Sequence, residues 1–540
     1  MAPNNKLLTL LLCTGIAFCL LQVWLPGHFL TCDGPCHLYN AGIVQHMWSG
    51  TAGAIYHRFY TLVYSTDPNS LTTFLLASLL YVARGPVAEK VFLSLYILTY
   101  ILGFVALLRR LGGNSYWVLV VLLFPFTYAF AKGFYNYSFS IAFWCWMVWC
   151  WLTYLQWQRK VHLLLFFVFT ALCFFTHLLP FVFGIVTCGA LLLSHAVVEQ
   201  RQGKGPFARG LLRGGGALAL VTAPFILLAF RFTGSEGGLQ MRLGFYLYRL
   251  VELVEFKYLI NITEAERPWA LLTGLALTIL AVVVVVRMAR RFTIHRYDGL
   301  LLALAMVLFT YVCVPEEFMG RMLIISIRAQ LFVYILIACI IAYRLKDGPA
   351  KVTGMALLCI SFLMLGICRI GCRYVADEAL TDLLSAGRYI RPGSVVLPLD
   401  LAPTGRDTKG REIANRNSIF HHAAQYMAVG KPLIMLDNYE ANMGYFPIRW
   451  QDDVNPYLHL SREAGIEGLP PFARIADYER RTGVSVHYVL LWCYRPEFLK
   501  DARFNELYTE IQRLYHIVYT SPSGRTILYE RNKEALVMNK

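Results

Sequence analysis

The chain has 540 residues, of which 57% are hydrophobic and only 15% are charged, and its formal net charge is +16. A soluble domain carries about 25% charged residues, so most of this chain is excluded from water. Its Lys and Arg sit in short clusters between apolar runs, which assigns the positive charge to membrane topology rather than to nucleic acid.

Taken in chain order, eleven apolar runs read as spans: 6 to 26, 88 to 108, 114 to 130, 138 to 157, 161 to 176, 179 to 197, 211 to 231, 269 to 286, 298 to 314, 322 to 343 and 351 to 369. No small-residue cleavage site follows the first, so it reads as a retained span rather than a signal peptide. The run 71 to 84 is too short to place by hydropathy alone. If it crossed the bilayer, the clusters at Arg109 and Arg110, at Arg159 and Lys160, and at 201 to 213 would fall on opposite sides. Read as a juxtamembrane half-helix, it puts every basic cluster in the cytoplasm, as the positive-inside rule favours. The N-terminus is then cytoplasmic, and the loop 27 to 87, the breaks AKGFYNY and THLLP, the loop 232 to 268, PEEFMGR and everything after 370 face outward. The glycines at 214 to 216 have no flanking strands and read as a turn, not as a nucleotide loop.

From 370 onward the composition is that of soluble protein. Runs such as SVVLPL and VHYVLLW alternate with helix-like stretches, which predicts a small α/β or α+β domain over 370 to 540. The first domain is 1 to 369. The fourteen cysteines are mostly single and lie in apolar segments, so they outline no disulfide framework. Cys32 and Cys36 flank Asp33, and Cys368 and Cys372 end the last span; neither pair has further zinc ligands nearby.

The most informative stretch is LTCDGPCHLYNAGIVQHMWSG, just past the first span. Leu38, Ile43 and Met47 recur at helical spacing, which predicts an amphipathic helix lying on the bilayer. Asp33, followed by Gly34 and Pro35, suits an N-cap; an acid at this depth also suits a general base that takes a proton from an acceptor. His37 follows four residues on. Lys132, Tyr135 and Asn136 interrupt two apolar runs, and His177 sits in another break, where irregular backbone must line a cavity or be buried in protein. His177 suits a helix cap equally well. Arg321 and Arg328 are seven residues apart on one helix face, with Arg328 inside a span, where a guanidinium needs a phosphate or an acid such as Glu316 or Glu317. An internal ion pair between helices is the competing reading. The segment LGFYLYRLVELVEF in the loop 232 to 268 predicts an amphipathic, aromatic helix.

Together these features resemble the GT-C superfamily of polyprenyl-phosphate-sugar-dependent membrane glycosyltransferases. The resemblance rests on a first span, a long first outer loop opening with an acid, the segment DPNSLTTFLL, the turn RRLGGN and an outer soluble domain. It implies inverting transfer of a sugar from a lipid-phosphate donor to a lipid, glycan or protein acceptor on the non-cytoplasmic face. The catalytic acid then falls on Asp33, and the phosphate-binding residue on Arg321 or Arg328 with Lys132; His37, Tyr135, Asn136, His177 and Glu316 complete the substrate site. Many members have a second acid in the second outer loop. Here that loop is AKGFYNY, which has none, so no cofactor is implied and a divalent metal has no support. The implied location is a bacterial inner membrane. The rival readings are a transporter or flippase, for which no internal repeat is found, and a non-catalytic assembly subunit.

Overall fold

The structure, a computed structural model, describes residues 5–51, 53–112, 116–234, 244–290, 293–318, 321–322, 324–345, 347–461 and 465–532. Among these, eight helices are long and apolar enough to cross a membrane, from Lys6–Trp24 to Pro349–Tyr389, and three shorter apolar segments accompany them, Tyr116–Ala131, Lys160–Thr176 and Gly299–Cys313. These correspond one for one to the apolar runs. The chain is a polytopic helical membrane protein with a C-terminal domain that contains β structure.

The charge pattern has its counterpart in space. The Tyr297 hydroxyl donates to the Arg110 carbonyl at 3.0 Å, Ser194 donates to the Arg296 carbonyl at 2.8 Å, and Arg344 pairs with Asp298. Three of the basic clusters therefore meet at one end of the bundle. At the other end, the Ser70 amide donates to the Phe175 carbonyl at 3.2 Å and starts the helix Leu71–Leu79. With nine residues that helix is about 14 Å long, too short to span.

Several elements depart from expectation. The run 114 to 130 is not one regular helix: Tyr116–Leu123 is a tight 3-10 helix, buried from Trp117 to Leu123, and a short α-helix, Tyr128–Ala131, follows Pro125. Such backbone survives at membrane depth because protein surrounds it, and the Tyr96 hydroxyl takes up the Pro125 carbonyl at 2.9 Å. The glycines at 214 to 216 form no turn; they lie inside the helix Phe207–Gly234, where a Cβ on Gly214 would meet the Leu192 side chain at 2.3 Å. Gly214 is there for close helix approach. Among the described residues of the loop 232 to 268, Tyr248–Val254 forms a separate short α-helix; Leu247, Tyr248 and Val251 are exposed and Arg249 is buried.

The helix Gly34–Ser49 does not lie on a bilayer. Every residue from Gly34 to Ala41 is buried, and the C-terminal domain forms the roof. Tyr39 donates to the Leu433 carbonyl at 2.8 Å, Asn40 donates to Glu440 at 2.8 Å, and Asn438 donates to Asn40 at 2.7 Å. Apolar spacing marks a face that must leave water, and it does not distinguish lipid from a protein domain as the cover. Further along the first loop, Tyr60–Leu62 pairs antiparallel with Ile448–Trp450, with Tyr60 opposite Trp450 and their rings 4.4 Å apart.

The C-terminal domain is built on a five-stranded mixed sheet in the order Ile434–Met435, Val395–Asp400, Tyr488–Trp492, Thr526–Arg531, Tyr515–Thr520. The first three strands are parallel and the last two are added antiparallel. The helix Pro349–Leu384 runs through residue 370 without a break, so one continuous rod joins the membrane bundle to this domain.

Candidate active site beneath the C-terminal domain

The first loop is held against the AKGFYNY break by main-chain bonds. The Cys32 amide donates to the Ala131 carbonyl at 3.1 Å and the Asp33 amide donates to the Lys132 carbonyl at 3.0 Å. The contact requires glycine at 133: its φ is +84°, and a Cβ there would sit 2.7 Å from the backbone nitrogens of both Asp33 and Gly34. His37 closes the junction by donating Nε2–H to the Gly133 carbonyl at 2.9 Å, while its Nδ1 lies 2.9 Å from Glu440 of the C-terminal domain. Burial opposes the charged form of His37, but Glu440 and Asp33 beside it raise its pKa above the ordinary value.

Asp33 is at the N-cap of Gly34–Ser49, yet its side chain makes no capping hydrogen bond. The capping reading therefore does not account for the carboxylate. It lies within electrostatic reach of Lys132 and Arg328 from the membrane bundle and of His421 and His422 from the C-terminal domain. The Arg328 guanidinium sits over the rings of Phe134 at 4.8 Å and Tyr137 at 5.8 Å, and the Tyr137 hydroxyl donates to the Arg328 carbonyl at 2.5 Å. Five of the sequence-selected residues, Asp33, His37, Lys132, Tyr135 and Arg328, are thus gathered around one junction.

The others fare differently. Tyr135 donates to Glu89 at 2.8 Å, is 3.1 Å from the Thr31 hydroxyl and stacks on His37 with ring centroids 5.2 Å apart. Asn136 is buried, and its Oδ1 has no hydrogen-bond partner among the described residues. His177 caps the helix Leu178–Arg201, its Nδ1 accepting from the Leu179 amide at 3.1 Å, and it meets the Tyr137 ring edge-on at 5.5 Å. Glu316 gives its carboxylate to Arg249, a residue not singled out in the sequence, at 2.9 Å, and it accepts the Ser326 amide at 3.2 Å. The expected pairing of Glu316 with Arg321 or Arg328 is replaced by that ion pair, because Arg249 is buried against the Tyr311 and Val314 carbonyls and needs a counter-ion. The side chains of Arg321 and Glu317 lie outside the described residues. Cys32 and Cys36 are both free thiols. Among the described residues no group of three or more His, Cys, Asp or Glu side chains is arranged to hold a metal ion.

Sequence reasoning passed over Glu89. Its carboxylate is fully buried and accepts hydrogen bonds at 2.8 Å from Tyr135 and from Tyr426 of the C-terminal domain. The signal was an acid near the start of an apolar span, which is costly unless satisfied. Also passed over was a set of polar groups in the C-terminal domain behind the first loop: Asp400, His421, His422 and Asp437. His421 faces Asp400 at 3.8 Å and His422 faces Asp437 at 3.7 Å. Burial drives the Asp437 carboxyl up to about 7, against the opposing hydrogen bond from Gln425. It drives His422 down to about 3, aided by repulsion from His421.

A pH dependence follows from Asp437. Its folded pKa is above that of the unfolded chain, about 3.9, so the folded state holds a proton that the unfolded chain gives up. The stability it contributes is complete below pH about 4 and is lost as pH rises through about 7. Thermal unfolding of the detergent-solubilised protein and of Asp437→Asn should show the wild type losing stability relative to the variant across that window. Parallel curves refute the assignment.

No protein-family model matches the chain, and no curated protein sequence matches it. Solved structures that match its fold include two of ArnT. ArnT from Cupriavidus metallidurans in the apo state is 10% identical, with a TM-score of 0.53 over 97% of this chain and 98% of that one. ArnT from the same organism bound to undecaprenyl phosphate is 10% identical, with a TM-score of 0.55 over 99% of both chains. At that identity the likeness speaks for architecture alone, and it covers the membrane bundle, the first loop and the C-terminal domain together: the chain shares its overall fold with ArnT.

Proposed function

We propose that this protein is an inverting glycosyltransferase that moves a sugar from a polyprenyl-phosphate donor to an acceptor on the non-cytoplasmic face of a bacterial inner membrane. The observation that carries the reading is the gathering of Asp33, Lys132 and Arg328 at one junction, in a fold shared with a protein solved with undecaprenyl phosphate bound. In this reading the N-terminus is cytoplasmic, and the end of the bundle that bears Asp33 and the C-terminal domain faces outward.

In such a transfer the acceptor oxygen attacks the anomeric carbon from the face opposite the phosphate. The carbon–oxygen bond to phosphate breaks, and its electron pair stays on the phosphate. Asp33 takes the acceptor's proton; its carboxylate is spared from capping and held in place by the main-chain bonds of its loop. Lys132 and Arg328 face the charge that develops on the departing phosphate, and Arg328 keeps its fork over aromatic rings rather than in water. Arg321 stands four residues before the start of the helix Ile325–Arg344, in the short strand Arg321–Met322, and serves the same anion. His37 and Tyr135 fix the floor of the site, and Asn136 and His177 line it.

The test is transfer from radiolabelled undecaprenyl-phosphate sugars by the full chain in nanodiscs. Asp33→Asn should lower kcat by about 10²–10⁴-fold while the protein stays folded. Unchanged turnover removes Asp33 from the role, and a wild type that transfers from no lipid-phosphate sugar overturns the reading.

A further inference from the structure

Two of the three parallel strands of the C-terminal sheet end together, and the third, Ile434–Met435, ends beside Val396, four residues short of that edge. Asp400 and Trp492 are paired in register at the last positions of their strands, and Asp437 lies two residues past the end of the third. In open α/β sheets this edge, beyond the carboxyl ends of parallel strands, is where ligands bind. Here it borders a partly open pocket with about 20 Å³ of free space, lined by Asp400, His421, His422, Asp437, Glu467 and Trp492 among others.

Four polar atoms of this lining have no hydrogen-bond partner among the described residues: Asp400 Oδ2, His422 Nδ1, Asp437 Oδ1 and Trp492 Nε1. His422, Asp437 and Trp492 are 2%, 5% and 2% exposed, so water outside does not satisfy them. Their demands are mixed. Carboxylate oxygens ask for donors and the indole N–H asks for an acceptor. A hydroxyl does both. An anion meets three carboxyl side chains, which repel it as they ionise, and the volume suits one water-sized group rather than a ring. The chamber also adjoins the junction described above: Asp33 is within electrostatic reach of both histidines, and Asp400 is within reach of Cys32.

We propose that this chamber is a saccharide subsite that takes one neutral hydroxyl of the sugar reacting beside Asp33, and that it refuses an anionic group at that position. The inference rests on the glycosyltransferase reading for the place of the sugar, and it adds which sugars qualify. The hydroxyl comes from either the donor's sugar or the acceptor's.

Saturation-transfer NMR on the full chain in nanodiscs tests it with methyl glucoside and methyl glucuronide as probes. The expected result is binding of the glucoside and at least a tenfold weaker response to the glucuronide. Trp492→Phe and Asp437→Asn should each weaken the glucoside by about tenfold while undecaprenyl phosphate binding, which reports on folding, is retained. Polyprenyl-phosphate glucose that displaces the glucoside assigns the chamber to the donor, and simultaneous binding assigns it to the acceptor. Equal binding of both probes, no binding of either, or an unmoved response in both variants overturns the subsite. Sugar transfer that persists in that case leaves the proposed function standing; discrimination between probes without any transfer does the reverse.

Discussion

Glu266→Ala is expected to destabilise the protein by about 3–5 kcal/mol, the cost of removing one partner from a buried ion pair. Glu266 and Arg369 are almost completely buried and meet at 2.8 Å. The same carboxylate accepts the amides of Asn261, Ile262 and Thr263 at 3.1, 2.8 and 3.2 Å, and Arg369 also donates to the Leu259 carbonyl at 2.8 Å. One residue therefore fixes the entry of the helix Arg267–Arg290 and the middle of Pro349–Leu384. Truncation leaves a buried guanidinium without its counter-ion and three amides without their side-chain acceptor. Glu266→Gln keeps the shape and part of the acceptor capacity, so it should cost less. The measurement is thermal inactivation of the solubilised protein, and a melting temperature for Glu266→Ala indistinguishable from wild type would falsify this account.

Gly133→Ala should lower the rate of sugar transfer by about 10²-fold without unfolding the chain. The new methyl would lie 2.7 Å from two backbone nitrogens, and the φ of +84° is strained for any residue with a Cβ. The neighbouring atoms are backbone and cannot rotate away. Relief requires the first loop to move off the second break, which takes Asp33 away from Lys132. A displacement of about 1 Å at a reacting group costs about 10²-fold in rate. Gly112→Ala is the control: its φ is +98°, with nothing within 4 Å of the added carbon. It carries the conformational cost alone. If both variants transfer sugar equally well, the junction does not position Asp33.

How much of this was open to sequence reading depends on the range of the interaction. Apolar segments are legible because water rejects them whatever packs beside them, and the half-helix at 71 to 84 is legible because charge clusters constrain topology over the whole chain. Asp33 stands out because it directly follows a span and precedes a proline-led helix. Glu89 does not, since its two hydrogen-bond donors lie 46 and 337 residues away. Arg249 is hidden in the same way: its acid is 67 residues distant, and the local pattern around it suggests only an amphipathic surface. The chamber in the C-terminal domain is the extreme case. Its members come from the ends of strands whose order in the sheet differs from their order in the chain and from the connections at 421–422 and 467, so no spacing in the sequence points to it.

The pairing of Tyr60–Leu62 with Ile448–Trp450 sets a timetable for biogenesis. Ribosomes add about 5–20 residues per second, so the interval between synthesis of the two partners is on the order of 20–80 s. Throughout it, the first loop has left the ribosome while the roof that buries it does not yet exist. All the spans are made before residue 448, so the bundle is inserted first and the site is assembled last, by a domain arriving on the end of a rigid helix. A nascent chain arrested near residue 430 would hold Asp33, Lys132 and Arg328 in the membrane and still lack the partners Glu440 and Trp450 that close the pocket over them.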